Sequence, residues 1–122
     1  MSKPKSVTAY FEGLDGEALM IARGLEDTIK TRWGALGCKL AWGSPCWSGN
    51  ERVFSVIAHA TRCNLQLWQG ARLADSYLSR IEGTGKALRH VKVYSVADID
   101  DELIDIMEQA VALDAHDPRR VR

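Results

Sequence analysis

The spacing of apolar residues changes along this chain from a helical period to a strand period and back again, and that change decides which folds are open to it. Val7, Tyr10, Phe11 and Leu14 recur at i, i+3, i+4 and i+7, the spacing that gathers side chains on one side of a helix. Ser6 stands where an N-cap is wanted, and Gly13 and Gly16 interrupt the short helix. Asp15 then precedes a longer one. Its Ala18, Ile21, Ala22, Leu25, Ile29 and Arg32 or Trp33 form one stripe, while Glu17, Arg23, Glu26, Asp27 and Lys30 face water. Gly34 and Gly37 end it.

Beyond residue 39 the helical period is lost. Residues 53–58 and 64–68 read as strands joined by a turn at 59–62, and the alternation of Leu65 and Leu67 with Asn64 and Gln66 marks a sheet with one buried face. Turn chemistry at Ser48-Gly49-Asn50 lets 40–47 pair with the first of these strands. Residues 90–94 alternate once more, and Asp98 is placed to cap a last helix whose stripe is Ile99, Leu103, Ile106, Met107, Ala110 and Leu113. No strand-helix-strand unit repeats, so a parallel sheet is not expected. The expected fold is α+β: an antiparallel sheet of four to five strands with two N-terminal helices and one C-terminal helix packed against it. A length of 122 residues suits a single domain, with residues 1–5 and 115–122 expected to fray.

Charge and cysteine content narrow the classes of function. Sixteen basic and sixteen acidic residues cancel, which removes any long-range attraction to nucleic acid or an anionic membrane, so neither is an expected partner. No apolar run approaches the ~18–20 residues of a membrane span. Cys38, Cys46 and Cys63 are odd in number and lack Cys-x-x-Cys spacing, which argues against a disulfide framework and a zinc knuckle. With no apolar signal region at the start, the expected compartment is the cytoplasm. A homodimer is the commonest assembly for a chain of this kind.

Three segments carry candidate chemistry. Residues 82–86, Glu-Gly-Thr-Gly-Lys, look like a phosphate loop, but a Walker motif needs glycine where Arg80 stands and Ser or Thr where Ala87 stands. Nucleotide hydrolysis is excluded on that ground. A weaker reading survives, in which the backbone around Gly83 and Gly85 donates to an anion and Lys86 and Arg89 neutralise its charge. Residues 42–47, Trp-Gly-Ser-Pro-Cys-Trp, read as a loop in which Trp42 and Trp47 stack on a ligand and Cys46 serves as nucleophile or soft metal ligand if its thiolate is stabilised. No base lies nearby in sequence. Finally, Asp98, Asp100, Asp101, Glu102, Asp105 and Glu108 crowd the last helix, and carboxylate clusters hold hard cations. Each has a plainer alternative: a solvated basic turn, tryptophans plugging the sheet over an inert cysteine, and a solvated acidic face whose first-turn acids suit the helix dipole.

Taken together, Tyr10-Phe11-Glu12-Gly13-Leu14, the 42–47 segment, Asn64-Leu65-Gln66-Leu67 with Gly70-Ala71 and Leu73, residues 81–86, Leu88-Arg89-His90-Val91-Lys92 and Asp98-Ile99-Asp100 give the chain a resemblance. It resembles the YdhG-like family, domain of unknown function 1801, over nearly its whole length. The resemblance implies helices flanking an antiparallel sheet, in small bacterial proteins that mostly lack an assigned activity. Some members have been likened to frataxins, acidic α+β proteins that carry iron to iron-sulfur assembly. The expected function is therefore a non-enzymatic binding domain for a small anionic ligand or a protein partner, with Trp42, Cys46, Trp47, Gly83, Gly85, Lys86 and Arg89 as its site and no cofactor. Iron binding by acidic helix faces and a thiol-dependent enzyme using Cys46 are the alternatives.

Overall fold

Ser6 does cap the first helix, its hydroxyl accepting from the Ala9 amide at 3.0 Å. The computed structural model describes residues 3–121. Helix α1 spans Val7–Glu12 and α2 spans Gly16–Arg32. Gly16 opens α2 instead of merely breaking α1: its φ of +57° turns the chain sharply after Asp15, a conformation glycine adopts without steric cost. The stripe Ala18, Ile21, Ala22, Leu25 and Ile29 is buried along α2 as its spacing requires.

Five strands follow, β1 (Gly37–Ala41), β2 (Ser44–Ser48), β3 (Arg52–Ala58), β4 (Cys63–Leu67) and β5 (Arg89–Val93). They pair antiparallel in sequence order. The 42–47 segment is therefore not a loop. Trp42 and Gly43, with φ of 52° and 80°, make a two-residue hairpin turn of the kind whose twist matches that of the strands. Ser44 and Pro45 already belong to β2. Proline is tolerated there because β2 pairs with β3 only from Cys46 onward, leaving no ladder bond for the missing N–H to break.

Register sorts the two faces. Trp47 lies opposite Phe54 and Phe54 opposite Leu67, while Val56, Leu65 and Val91 form a second row on the same side. These side chains join Phe11, Ile21, Leu25, Ile29, Leu103 and Ile106 from the helices in one continuous core. Burying each large apolar side chain contributes about 1.5–3 kcal/mol. Cys46, Ser55, Gln66 and His90 form the corresponding row on the outer face, away from the helices.

Helix α3 spans Asp101–His116 and is capped by Asp100, whose carboxylate accepts from the Leu103 amide at 2.9 Å. Asp98, the expected cap, sits in a one-turn 3-10 segment and accepts from the Tyr94 amide instead, closing the turn that leaves β5. Past residue 114, helix α3 runs on to His116, and the residues after it are tied back to the body of the protein. Arg72 holds the Asp117 carbonyl and carboxylate at 2.9 and 2.8 Å, and Gln69 donates to the Arg119 carbonyl at 2.6 Å. Residues 3–5 form no helix or strand; residues 1, 2 and 122, also expected to fray, lie outside the described residues.

One tie across the molecule fixes the turn between β2 and β3. Asp114 of α3 is buried, and its two carboxylate oxygens accept from the Asn50 and Glu51 amides, each at 2.7 Å. The Asn50 side-chain amide donates back to the Asp114 carbonyl at 3.0 Å. Gly49 makes the approach feasible, since a Cβ there would stand 2.4 Å from the Asp114 carboxylate.

Candidate functional site

The outer face carries a second buried cluster, separate from the main core. Trp68 directly follows Leu67, so its side chain leaves the sheet on the side opposite the helices. A ring that large is costly in water, and it lies flat enough on the sheet to be fully buried, its indole N–H donating to the Ser55 hydroxyl at 2.9 Å. Two side chains pack on its ring. The Trp42 ring packs from the hairpin tip at 4.7 Å between centroids and 58° between planes, and the Arg52 guanidinium lies 4.9 Å from the Trp68 ring. Cys46 is buried in the neighbouring recess, 3.9 Å from the Ser48 hydroxyl.

Above this cluster opens a cleft of about 450 Å³ bounded by Trp42, Ser48, Asn50, Glu51, Arg52 and Arg120. Its lining combines one aromatic ring, Trp42, with the charged Glu51, Arg52 and Arg120 and the polar Ser48 and Asn50. Asn50 and Glu51 are held in place by the Asp114 tie, so one wall is positioned from α3. Arg120 reaches the opposite wall and pairs with Glu51 at 3.2 Å. Arg52 is exposed, and among the described residues it enters no ion pair. Two guanidinium groups thus face one carboxylate, an excess of positive charge next to an indole that is 62% exposed. A larger groove, about 590 Å³, runs between residues 3–5 and α1. The hydroxyl of Tyr10 that lines it is already committed to the Ala58 amide.

The expected site residues do not converge. Trp42 borders the cleft. Cys46 lies in the adjacent recess, lined also by Lys39, Ser48 and Arg52. Trp47, the next residue of β2, points the other way into the main core, because neighbours in a strand alternate between faces. Gly83, Gly85, Lys86 and Arg89 sit at the far corner of the sheet, beside β5, which is three strand spacings or roughly 14 Å from β2. There Gly83 takes φ of +112°, and Arg89 closes its own loop by donating to the Gly85 carbonyl at 2.8 Å. Glu82 and His90 exchange backbone bonds, and Lys92 pairs with Glu82 at 3.5 Å. The meander separates the two segments by construction.

Several of the acidic groups are committed to partners within the fold. Arg80 spans Asp100 at 3.2 Å and Glu102 at 3.0 Å, Tyr77 bonds Asp105, and Glu26 pairs with Arg23 and Lys30. The Leu103 amide, and after it the Arg80 guanidinium, holds the Asp100 carboxyl below its usual range. Among the described residues no three His, Cys, Asp or Glu side chains gather. Burial pushes the Cys38 and Cys63 thiols up to about 11. Among the described residues the Cys46 thiol has one side-chain hydrogen-bond partner, the Ser48 hydroxyl, and no histidine bonds it.

Arg52 is the residue that reading along the chain missed. Alternation counted from Phe54 puts Arg52 on the helix side, and only the register shift between Trp47 and Ser48, which sets Ser48 opposite Arg52, brings it to the outer face beside Trp68; no spacing in the sequence announces such a shift. Arg120 offered no signal either, since its partner Glu51 is 69 residues away. No family model, curated protein or solved structure matches this chain. Among the described residues no helix is long and apolar enough to cross a membrane.

Proposed function

We propose that this protein is a binding domain for a small anionic molecule, held in the outer-face cleft with Arg52 as its principal cation and Arg120 as its second. The observation that carries this reading is the state of Arg52: stacked on Trp68, exposed, and without a carboxylate partner among the described residues at the edge of a ligand-sized cleft. Stacking on an indole restricts the guanidinium plane while leaving its in-plane N–H donors open to an oxyanion. Arg89, by contrast, already donates to Gly85. Because Cys46 has no adjacent base, the reading is of binding and not of covalent chemistry. The three cysteines are unpaired, which supports a reducing compartment such as the cytoplasm.

Titration with inorganic phosphate, followed by tryptophan emission and amide chemical shifts, tests the reading. Arg52→Ala removes a charge-assisted contact worth about 1.5–3 kcal/mol, so its dissociation constant rises about tenfold or more, whereas Arg89→Ala leaves it unchanged. The reading is refuted if inorganic phosphate, phenyl phosphate, methyl phosphate, benzoate and acetate all leave the spectra unchanged at millimolar concentration, or by a response that Arg52→Ala does not alter.

A further inference from the structure

We infer that the molecule held in this cleft carries a planar aromatic ring joined to its oxyanion, with the ring laid on Trp42 and the carboxylate or phosphate on Arg52. This rests on the anion-binding reading above and goes on to name the class of ligand.

The first support is the backbone of Trp42. The first central position of a two-residue hairpin of this type favours Asn, Asp or Gly, because φ there is positive. A bulky side chain at φ 52° is an outlier that the surroundings must maintain. Contact with Trp68 offsets that cost in part, yet the two rings meet at 58°, and 62% of Trp42 stays exposed. A tilted contact uses one edge of the indole and leaves a flat face uncovered. The second support is placement. Trp42 and the Arg52 guanidinium pack on the same Trp68 ring, at 4.7 and 4.9 Å, and line the same cleft, so a single molecule there can meet both. The third is size: about 450 Å³ suits a ring-bearing molecule and would leave a bare phosphate or acetate surrounded mostly by water. Stacking on an exposed indole and pairing with a fixed guanidinium are then complementary, one apolar and one ionic.

The test compares two matched pairs of probes on the full chain, phenyl phosphate with methyl phosphate and benzoate with acetate, by chemical-shift titration. The ring-bearing member of at least one pair binds about tenfold tighter than its methyl counterpart, and the better pair shows whether the oxyanion is phosphate or carboxylate. In Trp42→Asn, which suits the hairpin turn, the advantage of the ring falls to about one. Trp42→Leu, which keeps an apolar cover over Trp68 but no flat face, gives the same loss should the Asn variant fold poorly. Equal affinity within both pairs overturns the inference while leaving the anion reading in place. Failure of all four probes and of inorganic phosphate overturns both.

Discussion

Replacing Asp114 with alanine should unfasten the β2–β3 turn from α3, and the size of the effect follows from the contacts. The carboxylate accepts two backbone amides at 2.7 Å from within a buried position. Hydrogen bonds to a charged group are worth about 1.5–3 kcal/mol each, and removing the acceptor strands both donors. Water reaches part of the turn once the carboxylate is gone, and alanine is the better helix former by roughly 0.5–0.7 kcal/mol. The net loss is therefore about 2–4 kcal/mol. Unfolding entropy near 2.1 cal/mol/K per residue makes this a fall in Tm of roughly 8–15 °C for a domain of this size. Asp114→Asn keeps one acceptor and should lose about half as much. Thermal unfolding followed by circular dichroism, with urea titration as a second measure, gives both values. Because Asn50 and Glu51 border the cleft, Asp114→Ala should also weaken phosphate binding although Asp114 does not line it. A Tm within about 2 °C of the parent would refute the argument, since two buried amides cannot lose a shared charged acceptor at so small a cost.

Two other outcomes follow from titrating groups. The hydrogen bond to Asp105, then burial, raises the Tyr77 phenol from 10.0 to about 12. A raised folded-state value means the contact stabilises fully below pH 10 and is lost as pH climbs toward 12, so phenolate absorbance, corrected with Tyr77→Phe, should show a late titration that Asp105→Asn brings back toward 10; an unchanged titration in that variant removes the Asp105 contact as the cause. Cys63 donates to the Ala18 carbonyl at 3.4 Å from a buried site and is pushed up to about 11. Its alkylation by iodoacetamide at neutral pH, read by mass spectrometry, should be about a hundredfold or more slower than in denaturant, and a rate matching the unfolded chain would contradict the burial.

Much of the architecture was legible because it rests on local periodicity. Ser6, the α2 stripe and the alternation of 64–68 each announce their element within a few residues. Two misreadings came from residues that satisfy a rule in more than one way. Asp98 and Asp100 are equally good caps on paper, and only the need to close the turn after Tyr94 assigns one to each task. Trp42-Gly43 reads as part of a loop with Ser44-Pro45, while the positive φ values at Trp42 and Gly43 make it a hairpin turn, an unusual place for tryptophan. The remaining gaps concern contacts between distant parts of the chain. Asp114 with Asn50 and Arg120 with Glu51 are 64 and 69 residues apart, and no spacing rule reaches that far. The candidate site suffered most from this, since alternation in β2 separates Cys46 from Trp47 and the meander places Arg89 at the opposite corner.

Side chains such as Trp42 and Arg52 lie over the Trp68 ring, where the main core is covered by three helices. Such a cover can lift without melting anything else, because swinging Trp42 and Arg52 aside breaks no strand pairing and exposes no residue of the helical core. The Trp68 indole proton, bonded to Ser55 beneath them, should therefore exchange with solvent by local breathing, orders of magnitude sooner than the amides of β3 and β4 that require global unfolding.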